Sequence, residues 1–141
     1  MRNVAIVFYS GTGNTEAMAE AIAEGASLGG AHVHLIHAQA FSPDMLESYD
    51  AVAFGCPARG VEELEEEFFE PMFSALEDKL RDKRVALFGS YGWGEGEWMQ
   101  AWQERTLALG AILVSDPIIA LEEPDADARE ACKVVGTELA M

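Results

Sequence analysis

One stretch of sequence decides the fold of this chain: Val4-Ala5-Ile6-Val7-Phe8-Tyr9, followed by Ser10-Gly11-Thr12-Gly13-Asn14-Thr15. Its first half is an unbroken apolar run, which is typical of a central strand in a parallel sheet covered on both faces. Residues 14–28 carry an apolar stripe at helical spacing, so we predict a strand, a tight turn and a helix. Backbone N–H groups at a helix N-terminus bind phosphate, and residues 10–15 are therefore predicted to form an anion-binding turn.

The composition bounds the class of the protein. Its 141 residues suit a single domain over residues 1–141, and 50% of them are hydrophobic, which is enough for a sizeable core. We find no apolar run of about 18 residues and no signal-peptide pattern, and we expect a cytoplasmic protein without a transmembrane helix. Cys56 and Cys132 belong to no metal or redox motif, so we expect two reduced thiols, with a single disulfide as the alternative.

The charge of the chain is strongly negative. Its 25 acidic and 9 basic residues give a formal net charge of -16. This charge disfavours nucleic acid and anionic membrane surfaces as partners, and it favours a basic protein surface. Simple solubility explains the same charge about as well.

Strand and helix patterns alternate along the rest of the chain. The pattern of five strands and four main helices predicts an α/β protein with a doubly wound parallel sheet. Pro71 is expected to kink or break the helix that contains it, and Pro124 to stand in the first turn of the last helix. The further predicted strands are residues 32–37, 50–55, 84–89 and 111–114, and the last of these extends to residue 119. The further predicted helices are residues 63–80, residues 97–109 and a helix from about residue 124, and a short helical turn is predicted at residues 42–46.

The histidines of the second strand invite a metal-site interpretation. His32 and His34 have the i, i+2 spacing that places side chains on one face of a strand. No Cys, Asp or Glu completes a site nearby, so we interpret residues 32–37 as a solvent-facing edge strand.

Three loops with unusual chemistry follow the first, third and fourth predicted strands. They are residues 10–15, 56–62 and 90–96, and ligands of such sheets bind where these loops meet. The first loop lacks the Gly-Lys-Ser/Thr end of a P-loop, and no Lys or Arg occurs between Asn3 and Ala58. A phosphate would therefore be bound by N–H dipoles and hydroxyls, which suits a phosphate fixed to a ligand with an aromatic body.

The other two loops supply groups for that aromatic body. Trp93 stands between two glycines, where stacking on a flat ring explains an indole better than packing over its own loop does. Glu62 could accept a hydrogen bond from a ring N–H, or it could be one more exposed charge in the acidic cluster of residues 62–67. That cluster suits either a solvated helix start or a docking surface for a basic redox partner. Trp98, Trp102 and Cys132 are predicted core residues.

The chain resembles the short-chain flavodoxins of anaerobic bacteria over essentially its whole length. Residues 9–16 look like their FMN phosphate loop and residues 86–94 like their flavin-stacking loop, and residues 69–71 and 122–125 also match. The resemblance implies a flavodoxin-like, doubly wound five-stranded parallel sheet of order 2-1-3-4-5. It implies a monomeric, low-potential one-electron carrier that binds FMN non-covalently and exchanges electrons with redox proteins that have basic docking surfaces. An FMN-dependent enzyme would need longer insertions, and a phosphoacceptor regulator would need an Asp where the third strand ends in Gly55-Cys56.

The resemblance also implies roles for individual residues. Trp93 would stack on the flavin, Glu62 would accept from its pyrimidine edge, and the Gly60 peptide would turn towards flavin N5 to stabilise the neutral semiquinone. Pro57, Arg59 and Val61 stand where these flavodoxins often have Ser, Met and Asp, and we predict that Arg59 raises the potential of the second reduction step. The implied FMN-binding residues are Ser10, Gly11, Thr12, Gly13, Asn14, Thr15, Pro57, Ala58, Arg59, Gly60, Val61, Glu62, Ser90, Tyr91, Gly92, Trp93 and Gly94.

Overall fold

A parallel β-sheet forms the centre of the molecule. The computed structural model describes residues 2–58, 64–92 and 94–141. Its strands are ordered β2-β1-β3-β4-β5, with β6 also pairing with β4, and every pairing is parallel. This confirms the doubly wound sheet and its order. The strands are β1 (Asn3–Phe8), β2 (His32–His37), β3 (Ala51–Gly55), β4 (Arg84–Tyr91), β5 (Ile112–Leu113) and β6 (Ile118–Leu121).

Helices cover both faces of this sheet. Alternate side chains of β1 point to opposite faces, so Val4, Ile6 and Phe8 join the core under α1 and α5. Ala5 and Val7 join the core that includes side chains of α2, α3 and α4. The central strand is thus buried on both sides, as its apolar run predicts. The helices are α1 (Asn14–Leu28), α2 (Pro43–Leu46), α3 (Phe69–Leu76), α4 (Glu97–Ala108) and α5 (Ala126–Leu139), with 3₁₀ turns at Ala38–Ala40 and Glu77–Lys79.

The fifth strand position is filled by two short strands rather than one. Leu113 of β5 lies opposite Val85, and Ile118 of β6 lies opposite Phe88. The outer chain therefore uses two more residues than β4 does between these pairs, and the excess forms a break at residues 114–117. Pro117 fits such a break because proline has no backbone N–H for a strand ladder. The single strand expected over residues 111–119 is therefore wrong.

The second main helix is shorter than the predicted residues 63–80. Within the described part of the chain, α3 begins at Phe69 because the Glu65 carboxylate, 1% exposed, accepts the N–H groups of residues 67–69 at 2.7–2.8 Å. These bonds satisfy donors that have no acceptor inside the helix. Pro71 consequently stands in the first turn, where its missing N–H costs nothing, and α3 contains neither the predicted kink nor the predicted break.

Two further element ends differ from expectation. β4 continues past the predicted end at residue 89 because Ser90 and Tyr91 pair with β6. Pro124 precedes the first turn of α5 instead of standing in it. The N-cap of that helix is Asp125, whose carboxylate accepts the N–H of Ala128 at 2.8 Å.

The predicted core residues are confirmed. Trp98 and Trp102 are each 2% exposed, and Cys132 is completely buried. Burial raises the pKa of the Cys132 thiol to about 12, which keeps it protonated. Cys56 and Cys132 lie in different cores on opposite faces of the sheet, so the two thiols do not form a disulfide.

The edge position of β2 is also confirmed, and all three of its histidines are exposed. Among the residues that the structure describes, no three His, Cys, Asp or Glu side chains are grouped so as to hold a metal ion. Over the same residues, no helix has the length and apolar character needed to cross a membrane.

Candidate functional site

A cavity of about 370 Å³ opens at the carboxyl ends of the strands. It lies where the strand order switches, since the chain leaves β1 towards β2 on one side and later returns as β3 on the other. Segments that follow β1, β3 and β4 share its wall, so the predicted meeting of the three loops is confirmed for their described residues. The lining residues are Thr12, Asn14, Pro57, Ala58, Ser90, Tyr91, Gly92 and Glu122.

The turn after β1 is organised by one hydroxyl and one glycine. Ser10 Oγ accepts the N–H groups of Gly13 at 3.1 Å and Glu16 at 3.2 Å. Gly13 has φ +96°, a backbone conformation that residues with a side chain rarely adopt. It is the N-cap of α1, and no side chain of the N-cap residue accepts a hydrogen bond there. Asn14 and Thr15 are residue types that often cap helices, but here they are the first two helical residues and neither is the N-cap. The turn remains the N-terminus of a 15-residue helix, with its positive dipole end at the cavity.

A buried hydroxyl pair joins this turn to the end of β4. Thr15 Oγ1 and Ser90 Oγ lie 2.8 Å apart, and the backbone N–H of Ser90 donates to Thr15 Oγ1 at 3.3 Å. The two residues are 1% and 5% exposed. Buried polar groups are costly without partners, so this pair fixes the position of the turn relative to β4.

The segment after β3 is tied to β4 and α4. The N–H of Ala58 donates to the carbonyl of Ser90 at 3.0 Å, and Trp98 Nε1 donates to the carbonyl of Cys56 at 3.2 Å. A side chain at Gly89 would lie 2.1 Å from the Cys56 carbonyl oxygen, so only glycine allows this approach. Pro57 and Ala58 thereby reach the cavity wall. The predicted site residues Arg59, Gly60, Val61 and Glu62 lie outside the described residues.

The last residue of β4, Tyr91, and the first residue of the following loop, Gly92, both reach the cavity. Trp93, the predicted stacking residue, lies outside the described part of the chain. Beyond it, Gly94 has φ +80°, and the Glu97 carboxylate accepts the N–H of Glu95 at 2.7 Å. Hydrogen bonds from the N–H groups of Glu95 and of Glu97 itself lower the pKa of Glu97, which therefore holds this loop as an anion.

Sequence reasoning missed one residue of the cavity wall, Glu122. It follows β6 directly, has φ +57°, and its N–H donates to the carbonyl of Tyr91 at 2.7 Å. The available signal was its position just beyond the last strand, at the same edge of the sheet as the other loops. Among the described residues that line the cavity, none is Lys or Arg and one, Glu122, is acidic.

The sequence of this chain is similar to that of known proteins over most of its length. A model of the family described as "Flavodoxin" matches residues 6–134. The chain belongs to the flavodoxin family. The flavodoxin of Megasphaera elsdenii is 48% identical over 133 residues, which is 94% of this chain and 95% of that protein. The flavodoxin of Clostridium beijerinckii is 44% identical over 135 residues, 96% of this chain and 97% of that protein.

Solved flavodoxins share the fold as well as the sequence. The solution structure of two-electron reduced Megasphaera elsdenii flavodoxin superposes with a TM-score of 0.89 at 46% identity, covering 97% of this chain and 98% of that chain. Flavodoxins are FMN-binding electron carriers and not enzymes, and this agrees with the function predicted from the sequence.

The described site fits FMN in its chemistry. A helix N-terminus with neighbouring hydroxyls suits a phosphate, and the volume lies in the range of small-ligand sites. When bound, FMN accepts and releases electrons singly. The described residues of the cavity wall would bind and orient the group.

Proposed function

We propose that this flavodoxin holds the FMN phosphate in the turn of residues 10–15 and the flavin ring beside Tyr91, Gly92 and the segment 57–58. The observation that carries the proposal is the single cavity wall on which Thr12 and Asn14 meet Ala58 and Tyr91. Ser10 shapes the turn through the N–H groups of Gly13 and Glu16. Ring stacking by Trp93 and the roles of residues 59–62 remain predictions.

We further propose that the carrier works at low potential. The second electron converts a neutral semiquinone into an anionic hydroquinone, and the Glu122 side chain on the cavity wall disfavours that negative charge. The net charge of -16 acts in the same direction. We expect Glu122→Gln to raise the potential of the second reduction step.

The partners proposed for this carrier are redox proteins with basic docking surfaces. Glu95 and Glu97 are exposed and lie a few residues after Gly92, which lines the cavity. Glu122 is also exposed and lines the cavity itself. A basic surface placed over these carboxylates would lie close to the flavin, which favours electron transfer and fast association. The strong mutual repulsion of copies with this charge supports a monomer, and we propose a cytoplasmic location.

The proposal is tested by comparing FMN with riboflavin, which lacks the phosphate. If residues 10–15 bind phosphate, apoprotein binds FMN far more tightly than riboflavin. Ser10→Ala and Gly13→Ala then weaken FMN binding by about tenfold or more, with little change for riboflavin. Thr137→Ala, an exposed position on α5, is the control. Fluorescence titration measures both affinities.

Two results would contradict the proposed site. The first is equal loss of FMN and riboflavin affinity in the Ser10 and Gly13 variants, and the second is no loss of either. Stepwise anaerobic reduction of the FMN-bound protein then tests the carrier function through two separated one-electron steps.

A further inference from the structure

The indole N–H of Trp102 is a buried hydrogen-bond donor without an acceptor in the protein. Among the residues that the structure describes, Trp102 Nε1 is the one buried side-chain nitrogen or oxygen without a hydrogen-bond partner. The residue is 2% exposed and stands on α4. Trp98, one turn earlier on the same helix, donates its own Nε1 hydrogen to the Cys56 carbonyl. A buried donor without an acceptor costs folding free energy, so proteins commonly satisfy it with an ordered water.

A small cavity lies beside this indole, away from the FMN site. It measures about 70 Å³ and separates part of α4 from α3 and the segment that leads into it. A buried water needs only ~10–15 Å³ of such space, so the cavity has room for more than one. Its walls combine an aromatic surface with one ion pair. The lining residues are Leu64, Glu70, Trp98, Ala101, Trp102 and Arg105.

The ion pair supplies the further partners that a buried water requires. Arg105 donates to both Glu70 oxygens at 2.8 Å, and its Nε donates to Glu77 at 3.0 Å. A guanidinium has five N–H donors and a carboxylate about four acceptor sites, so both groups retain bonding capacity after these contacts. A water in the cavity can accept from Trp102 Nε1, donate to Glu70 and accept from Arg105.

We propose that the cavity between α3 and α4 is an ordered-water site, in which a water accepts from Trp102 Nε1 and is held by Glu70 and Arg105. A water in this site would connect the buried indole of Trp102 on α4 to the Arg105–Glu70 ion pair, which joins α4 to α3. Water is the ligand that the site selects, because the space is too small for a cofactor and its polar groups offer both donors and acceptors.

The test uses the full-length, FMN-bound protein. Water-selective nuclear Overhauser measurements on the indole N–H protons should show a long-lived water at Trp102 and none at Trp98, whose N–H already has a protein acceptor. A crystal structure that resolves ordered solvent should place a water at about 3 Å from Trp102 Nε1. A dry cavity, an organic molecule in it, or a protein acceptor on Trp102 Nε1 would each overturn the proposal.

A matched pair of substitutions on α4 sharpens the result. Ala101→Leu fills the cavity and should abolish the water signal at Trp102, whereas Ala108→Leu, at an exposed position of the same helix, should leave it unchanged. Persistence of the signal in Ala101→Leu would show that the water lies elsewhere. The measurement on the unsubstituted protein decides the matter even if Ala101→Leu does not fold.

Discussion

At the scale of single residues, two hydroxyls organise the turn of residues 10–15, which we propose binds phosphate. Ser10 Oγ gathers two N–H groups of the turn, and Thr15 Oγ1 binds Ser90 at the end of β4. The turn is therefore shaped before a ligand binds, which reduces the entropy that binding must overcome. Gly13 completes it because its φ of +96° suits no other residue type as well.

The Thr15–Ser90 pair can be tested by removing one hydroxyl. Thr15→Val keeps the shape of the side chain but leaves the buried Ser90 Oγ without its 2.8 Å partner, and we expect a loss of about 1–3 kcal/mol of apoprotein stability. Thr15→Ser keeps the hydroxyl and should lose less. Urea denaturation measures both, with Thr137→Val as the exposed control. Equal effects of the Val and Ser variants would show that the hydroxyl pair contributes nothing.

At the scale of elements, one buried carboxylate decides where α3 begins. Glu65 accepts the N–H groups of residues 67–69, and its own N–H donates to Cys56 Sγ at 3.3 Å. Its position thus ties the start of α3 to the end of β3. The negative charge also suits the positive end of the helix.

Removal of this carboxylate should destabilise the fold. Glu65→Ala removes the acceptor of three backbone donors, of which that of Phe69 is buried, and we expect a loss of about 2 kcal/mol. Glu66→Ala, one residue further on and exposed, should change stability by less than about 0.5 kcal/mol. Chemical denaturation of the two apoproteins makes the comparison. Similar losses in both variants would refute the capping role.

The ion pair between α3 and α4 predicts a pH dependence. Burial alone would raise the pKa of Glu70, but hydrogen bonds from Arg105 and Ser74 outweigh it and hold this pKa below its ordinary value of 4.5. A lowered folded-state pKa gives stability that is complete above the ordinary pKa and is lost as pH falls through the lowered one. The Glu70 side chain is 37% exposed, so solvent screens part of this interaction, and Glu70→Gln should cost only about 1 kcal/mol at pH 7. The difference from the parent should shrink in acid below pH 4.5.

Unfolding curves at several pH values measure this difference. Glu130→Gln, at an exposed position of α5, controls for the change in net charge. A deficit in Glu70→Gln that stays constant down to acid pH would contradict the ionic origin of the effect.

Much of this architecture was predictable from sequence because periodicity reports local burial. The apolar runs located the central strands, and the bounds of α1 and β2 agree with the structure at both ends. Glu65 was hidden because it stands in a run of acidic residues that is typical of a solvated surface, and its burial depends on tertiary contacts with Cys56. Glu122 was missed because the strand before it was predicted to end at residue 119, so the loop beyond that strand was not considered with the other three.

At the scale of the whole molecule, the described charges suggest different roles for electrostatics in binding the cofactor and in docking a partner protein. The FMN phosphate, although anionic, is proposed to bind at a turn that relies on N–H dipoles, because the described cavity wall carries no Lys or Arg. The net charge of -16, from 25 acidic and 9 basic residues, is instead expected to act on the approach of partner proteins. Electrostatic steering of this kind changes association rates more than it changes the fold.

This division predicts how electron transfer responds to salt. Transfer to a redox protein with a basic docking surface should slow by about tenfold or more as ionic strength rises from ~0.01 M to ~0.5 M, because the Debye length falls from about 30 Å to a few ångströms. Transfer to a neutral small-molecule acceptor should change little and serves as the control. Stopped-flow absorbance of the flavin measures both rates.

A charge-reversing variant tests whether the carboxylates beside the cavity guide docking. The double substitution Glu95→Lys and Glu122→Lys should lower the rate of transfer to the basic partner at low salt and leave the rate with the neutral acceptor almost unchanged. Equal salt dependence for both acceptors would show instead that the net charge of -16 serves solubility alone.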